Sequence, residues 1–467
     1  MKTASGGAQG LRQIPPMDAL LSEGPVAAFF PHLGWDTVKS VLDGALAEER
    51  KDILDGRRRE SSVASVLRRA LPTLERLKRN SLTPVVNATG VVVHTNLGRS
   101  CLAQRAIEEV VAVAGRYSTL EFDRELGRRG HRSDHVEWLL NRVSDSEASL
   151  VVNNNAGAVL LVLSGLCAGR EVIVSRGELV EIGGSFRIPE ILSFSGARLV
   201  EVGATNRTHR GDFERAITEN TAAILKVHPS NFRMEGFTSV VPRPELAALA
   251  QERGILFLED LGSGSLLDMT PSGLPGEPTV GQCLREGVDL VTYSGDKMLG
   301  GPQIGVVAGA KKLVDRLRTC PMLRALRVDK MTLAALEATL RLYLRGQEEE
   351  IPTIAMLRAE EGALRRRAVR LAARLKKVLP KARIAVVPVD DAVGGGAFPA
   401  TNLPGWGVTV AEPALGSAND ILTRLREGEY SVVAGARDSE VVLHVRTLLQ
   451  EDDRRIASAF SGMTAKE

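Results

Sequence analysis

Short apolar runs alternate with longer amphipathic stretches through the middle of this chain, and the two periods separate its elements. Runs at 149–152, 171–174, 198–202, 223–227, 255–259 and 290–292 are apolar and bounded by polar or turn residues, which predicts buried strands. Amphipathic segments between them, such as 244–252, predict helices. Strands alternating with helices predict a largely parallel sheet with helices on both faces. The texture before residue 80 is different. Val38, Val41, Leu42, Leu46, Ile53 and Leu54, then Val63, Val66, Leu67, Leu71, Leu74 and Leu77, recur at three- and four-residue steps and predict a small helical domain. Past 325 a helical stretch over 330–349 precedes apolar runs at 383–387 and 441–445, the predicted strands of a smaller α+β domain. Gly394-Gly395-Gly396 between them predicts a flexible turn. The predicted division is 1–80 helical, 81–325 large α/β, and 326–467 small α+β.

Composition narrows this picture only slightly. A chain of 467 residues with 44% hydrophobic and 25% charged residues has room for two or three ordinary globular domains. The formal net charge is +3, so any nucleic-acid contact must come from local patches. Arg57-Arg58-Arg59, Arg68-Arg69 and Lys78-Arg79 are such patches, although a solvated helix face looks the same in sequence. Cys101, Cys167, Cys283 and Cys320 are scattered without CxxC or metal spacing, which argues against a disulfide framework or metal site and for a reducing compartment. The start, Met1 to Ile14, has no apolar core of signal-peptide length, and the longest apolar stretch, near 158–167, falls far short of a membrane span, so the expectation is a cytoplasmic protein without membrane contact.

The candidate chemistry begins after the apolar-rich run 288–292. Lys297 lies just past it, in YSGDKMLGGPQ (293–303), among small and glycine residues that leave room for a bulky group beside its amine. This setting suits a lysine holding pyridoxal phosphate as a Schiff base, and it also suits an ordinary surface turn. Asp260 follows the run 255–259, where a strand end faces the ligand crevice of an open α/β sheet, and its carboxylate would keep a pyridine nitrogen protonated. A helix cap or turn aspartate would occupy the same place. Asn155, Ala156 and Gly157 follow the run 149–152 and open a helix, where backbone N–H groups bind phosphate. Ser294 adds a hydroxyl to the same phosphate, and Ser230 or Asn231 could reach a phenolic oxygen. Segments 87–99, 175–187 and 201–209 are dense in Asn, Thr, His, Arg and Gly, as either a ligand site or polar loops would be, and place Glu178, Glu181 and Arg187 as further candidates. Arg324 and Arg327, three apart on a predicted helix, share a face suited to a phosphate-like anion or to surface ion pairs.

These segments, read together, resemble one family. NATGVVVHTNLGRS (87–100), YSTLEFDRELGRRGHR (117–132), VVNNNAGAVLL (151–161), SRGELVEIGGSFRIPEI (175–191), EVGATNRTH (201–209), KVHPSNFRMEGFT (226–238), EDLGSG (259–264), YSGDKMLGGPQ (293–303) and LRALRVDK (323–330) are similar to the bacterial selenocysteine synthases. These are L-seryl-tRNA(Sec) selenium transferases of the fold-type-I pyridoxal-phosphate class. The resemblance runs through nearly the whole chain in order. It departs at Arg116–Phe122, where the family usually reads GYSNLEY, and at Ser431–Arg437, where a PVIGR pattern is common.

The resemblance implies a fold-type-I α/β enzyme with a helical tRNA-gripping domain in front. Lys297 would be the Schiff-base lysine, Asp296 the family's functional aspartate, and Arg99, Arg324 and Arg327 the arginines that receive selenophosphate. The reaction would convert seryl-tRNA(Sec) to selenocysteinyl-tRNA(Sec) by elimination to a dehydroalanyl intermediate and addition of selenium. A homo-oligomeric ring of dimers, typically a decamer with sites at dimer interfaces, is implied as well. Two other readings compete. A lyase acting on a small amino acid or amino-sugar phosphate would use the same lysine and aspartate but needs no basic helical domain. A non-catalytic RNA-binding protein on a retired enzyme fold would have no reason to keep Lys297, Asp260 and Asn153–Gly157 together.

Overall fold

A computed structural model of the chain describes residues 10–58, 60–182, 186–399 and 401–464. The chain forms two compact units, 1–84 and 85–467. Gly183, Gly184 and Ser185 of the polar segment 175–187, and Arg59 of the first basic cluster, lie outside the described residues.

The first unit is helical, as its periodicity predicts. Two helices carry it, α1 (Trp35–Leu54) and α2 (Val63–Lys78). Ser62 caps α2 reciprocally with Ser65, each side chain accepting from the other's backbone N–H. Leu20, Val26, Val38, Leu42 and Leu46 bury against Val66, Leu67 and Leu74. The basic clusters divide here. Glu49 is fully buried, and Arg58 and Arg69 both donate to its Oε1. Arg57 pairs with Asp52 and Asp55. These arginines neutralise carboxylates of their own unit, whereas Arg68, Arg76, Lys78 and Arg79 are exposed and make no ion pair among the described residues.

The larger unit opens with two short strands, β1 (Val86–Ala88) and β2 (Val91–Val93), and helix α3 (Gln104–Ala114). A central sheet follows: β3 (Ala148–Val152), β4 (Glu171–Ser175), β5 (Arg198–Val202), β6 (Thr221–Val227), β7 (Leu256–Gly262), β8 (Leu290–Ser294) and β9 (Gly305–Gly309). Its order is β3-β9-β8-β7-β6-β4-β5, and only β9 runs antiparallel to its neighbours. Every residue of β6, β8 and β9 is buried, as expected of strands covered on both faces. Helices between them include α4 (Asn155–Leu166) and α5 (Arg243–Arg253), the latter ending at Gly254 with φ 65°. The six predicted strands are all present. β9 was not predicted, because Gly305 and Gly309 at its ends make it read as a loop.

Helix α6 (Lys330–Leu344) starts at Asp329, whose side chain accepts from the N–H groups of Met331 and Thr332, and packs its Ala335 and Ala338 against Ala106 of α3. It stops five residues short of the predicted 349; a turn with Gly346 at φ 65° follows it. After α6 comes α7 (Glu361–Val378), then β10 (Arg383–Gly394), β11 (Asn402–Ala411), β12 (Val432–Arg437), β13 (Glu440–His444) and α8 (Asp452–Thr464). The second sheet has the order β1-β12-β13-β11-β10-β2. It therefore draws β1 and β2, which the sequence division placed with the large domain, into the sheet of the C-terminal part. Among the described residues no helix is long and apolar enough to cross a membrane.

Candidate active site

β8 ends at Ser294 and the chain turns sharply, carrying Asp296 and Lys297. Backbone bonds from Gly295 N to Ile304 O (3.0 Å), Gly301 N to Gly295 O (2.8 Å) and Met298 N to Ser263 O (3.0 Å) hold this turn. From outside it, Ser100 Oγ donates to Lys297 O at 2.7 Å. The lysine side chain is thus buried on a rigid turn rather than exposed on a loop.

Asp260 sits inside β7, where the pairing with β8 shifts register between Asp260 and Gly262. Its Oδ1 accepts from Asn155 Nδ2 at 2.9 Å and from Thr292 Oγ1 at 3.3 Å. Burial pushes the Asp260 carboxyl above the usual range, partly offset by Asn155 and by the charge of Lys297. Burial pulls the Lys297 amine down, against the attraction of Asp260. Both shifts disfavour uncompensated charge in this cavity.

Arg99 approaches from the segment after β2. It follows Gly98 and holds φ 62°, an uncommon left-handed conformation for arginine, and its Nη1 donates to Asp296 Oδ2 at 2.5 Å. Lys297, Asp296, Asp260, Arg99, Asn155, Ala156, Ser294 and Asn231 all line one cavity of about 590 Å³. Gly157 does not line it. Its N–H donates to the capping Asn154 side chain at 2.8 Å, so the helix start offers Asn155 and Ala156 instead.

Sequence reasoning gave no role to Thr95, Gln303 or the glycine turn that close this cavity. Thr95 and Gln303 stood inside quoted motifs without a distinguishing chemistry. Gly394 to Gly396 read as a flexible turn, similar to the family's glycine turn in the small domain, and a Cβ at Gly396 would lie 2.6 Å from Lys297 Nζ.

Arg324 and Arg327 are elsewhere in the chain. The helix there covers only Met322–Ala325, so Arg327 lies beyond it and helical spacing does not pair them. Both line a separate cavity of about 610 Å³ with Glu121, Arg129 and Arg132, where Arg327 lies 3.4 Å from Glu121. The loop they flank reaches the residue just before the lining segment Asn154–Ala156 through Leu326 O, which accepts from Asn153 N at 3.0 Å. Glu178 is buried against Lys226 at 2.8 Å and accepts from Val227 N, which makes it part of the frame. Glu181 and Arg187 form an exposed pair.

The cavity fits a flat, phosphate-bearing pyridine. It holds a buried carboxylate and a buried amine with lowered proton affinity. Ser230 Oγ and Asn155 Oδ1 are buried without a protein partner. A glycine wall leaves space against the lysine. Sheet order and site together define a fold-type-I α/β protein of the pyridoxal-phosphate class. The fold is shared with D-glucosaminate-6-phosphate ammonia-lyase, at a TM-score of 0.57 and 20% identity, over 82% of this chain and 96% of that one.

The family model for L-seryl-tRNA selenium transferase matches residues 85–449. The L-seryl-tRNA(Sec) selenium transferase of Nitratidesulfovibrio vulgaris is 50% identical over 463 residues, covering 96% of this chain and 98% of its own. That of Moorella thermoacetica is 47% identical over 453 residues, covering 96% of each. The chain belongs to the L-seryl-tRNA selenium transferase family, enzymes that convert seryl-tRNA(Sec) to selenocysteinyl-tRNA(Sec).

Proposed function

We propose that this enzyme performs the conversion with pyridoxal phosphate held by Lys297 and selenophosphate as selenium donor. The observation that carries the reading is the buried Lys297 beside Asp260 in a cavity that Arg99 also lines. The bound cofactor supplies an electron sink that labilises the seryl Cα–H and Cβ–O bonds.

The chain's own groups do the rest. Asp260, fixed by Asn155 and Thr292, offsets positive charge on the pyridine nitrogen. The backbone N–H groups of Asn155 and Ala156 and the Ser294 hydroxyl receive the phosphate, and Ser230 or Asn231 the phenolic oxygen. Lys297, its proton affinity lowered by burial, takes the Cα proton and returns one. Asp296 orients Arg99 toward the donor anion.

Arg324 and Arg327 join this site from a second copy of the chain. Their separation from Lys297 within one chain supports that assembly, as do the exposed Phe122, Leu126 and Trp138 near their cavity. A ring of dimers, and a decamer in particular, is the assembly proposed. A cytoplasmic location is supported by four unpaired cysteines, which a reducing compartment keeps as thiols. The 1–80 helical domain, 81–325 and 326–467 would grip tRNA, hold the cofactor and close over it, respectively.

Purified enzyme with seryl-tRNA(Sec), selenophosphate and pyridoxal phosphate should transfer selenium to the tRNA. Deleting 1–80 should abolish tRNA binding and leave the visible absorbance of bound cofactor. A yellow protein transferring no selenium would move the assignment to a small-molecule lyase, and unchanged tRNA affinity in the deletion would remove the role of the first domain.

Gly396→Ala tests the glycine wall. The site has φ 94° and no room beside Lys297, so the added methyl both strains the backbone and displaces the amine. Backbone strain of about 1 kcal/mol is expected. Cofactor affinity, titrated by visible absorbance, should fall roughly tenfold or more, the equivalent of about 1.4 kcal/mol. Unaltered loading would show that the turn does not confine the lysine.

A further inference from the structure

Helix α7 carries a charge pattern that the catalytic reading does not use. From Gly362 to Arg383 the chain has nine basic residues and no acidic one, although its total formal charge is only +3. The remainder of the chain is therefore net negative, and seven of the nine lie on α7 itself.

Packing accounts for only part of it. Leu364, Ala368, Leu371, Ala372 and Leu375 form the buried face of α7, against Val408, Val410, Ile456 and Phe460. Arg367 turns inward to the Leu448 and Leu449 carbonyls and to Asp453, so it is structural. Arg365 lies over the Trp406 ring. Arg366, Arg370, Arg374, Lys376 and Lys377 are exposed and make no ion pair or side-chain hydrogen bond among the described residues. Cations in the last turn favour the helix dipole, which explains Lys376 and Lys377. It does not explain Arg366, Arg370 and Arg374, which stack at four-residue steps and repel one another. Ordinary soluble surfaces intersperse both signs; a single-sign strip attracts a polyanion.

We infer that the exposed face of α7 is a docking surface for the phosphodiester backbone of the tRNA substrate, separate from the basic residues of the first unit. This rests on the reading that the substrate is an aminoacyl-tRNA. β10, which leads from the far side of α7, ends at Gly394 on the Lys297 cavity. Twelve strand residues span about 40 Å, so the C-terminal end of the strip stands a long way from the lysine, whereas Arg365 over Trp406, the partner of Pro388, brings its other end to roughly half that distance; such a line of charge suits a substrate that extends well beyond its reacting end. Recognition here is by charge alone, without base reading.

The test is tRNA binding as a function of salt. In Arg366→Gln/Arg370→Gln/Arg374→Gln/Lys377→Gln, the slope of log affinity against log salt should become shallower by roughly one unit for each phosphate no longer neutralised, about three to four in all. Affinity for charged and uncharged tRNA(Sec) should fall at least about tenfold at roughly 150 mM salt. KM for seryl-tRNA(Sec) should rise while kcat at saturation and the visible cofactor absorbance stay unchanged. The variant with lysine at the three arginine positions should retain the wild-type slope. An unchanged slope in the glutamine variant overturns the inference, as does equal loss of binding in the lysine variant. It is also overturned if wild-type protein binds phosphatidylglycerol vesicles through these residues while tRNA affinity is indifferent to them. Patch-dependent tRNA binding by a wild-type protein that transfers no selenium would uphold the surface and remove the selenium-transfer reading instead.

Discussion

Lys297→Ala should abolish selenium transfer and the visible absorbance of lysine-bound cofactor, while the protein stays folded. Turnover should drop by roughly 10³-fold or more, since a positioned acid–base group alone contributes on the order of 10²–10⁴. The folded state has little to lose. Burial disfavours the lysine's charged form, and the turn that carries it is held by backbone bonds. The measurement is a spectrum and a melting curve on the same sample. Retained visible absorbance would refute the lysine assignment. A collapsed melting temperature would mean that the amine braces Asp260, whose proton affinity it lowers, more than it serves chemistry.

Asp260→Asn separates stability from activity in the opposite sense. The substitution keeps the shape, and its amide can still meet Asn155 and Thr292, but it can no longer offset charge on a ring nitrogen. Turnover should fall by about 10²–10³, the scale of losing one preorganised electrostatic partner. Stability of the cofactor-free protein should move the other way. Asp260 is raised above its unfolded value, so its contribution is fully present below the ordinary carboxylate range and is lost as pH rises through the raised value. The variant lacks that loss. Its melting temperature should gain on wild type as pH rises from the ordinary carboxylate range through the raised value, and a gap that narrows over this rise would contradict the burial argument. Lys297 loses an attraction that raises its proton affinity, so the acid limb of any residual activity should shift to lower pH.

Much of the frame was legible because its signals are local. β4, β6 and β8 are almost wholly buried and read as short, mainly apolar runs. Lys297 and Asp260 stood out because both follow or end such runs. β11 did not, since Pro404, Gly405 and Gly407 interrupt it and only its pairing with β10 and β13 makes it a strand. β1 and β2 were not read as strands for a related reason: three-residue strands carry no period, and their partners lie hundreds of residues away. The division of the arginines was hidden in the same way. Arg99, Arg324 and Arg327 look like one set in sequence, but one cavity takes the first and another takes the rest. Gly396 was legible as a turn but not as a wall, because the lysine it faces comes from the other sheet.

The pairing of Val86 with Val432 has a consequence for how the chain is made. β1 and β2 leave the ribosome early, but β12 and β10, which pair with them, come much later. At about 5–20 residues per second, β1 waits roughly 20–70 s for its partner. The seven-stranded sheet, complete at Gly309, can form in the meantime, whereas the second sheet can close only after nearly the whole chain has emerged. Its closure bridges a very long loop and is intrinsically slow. Arg99, carried on the segment that follows β2, is therefore placed late. The chain is born with its lysine turn formed before the β2 end of the Arg99 segment is anchored.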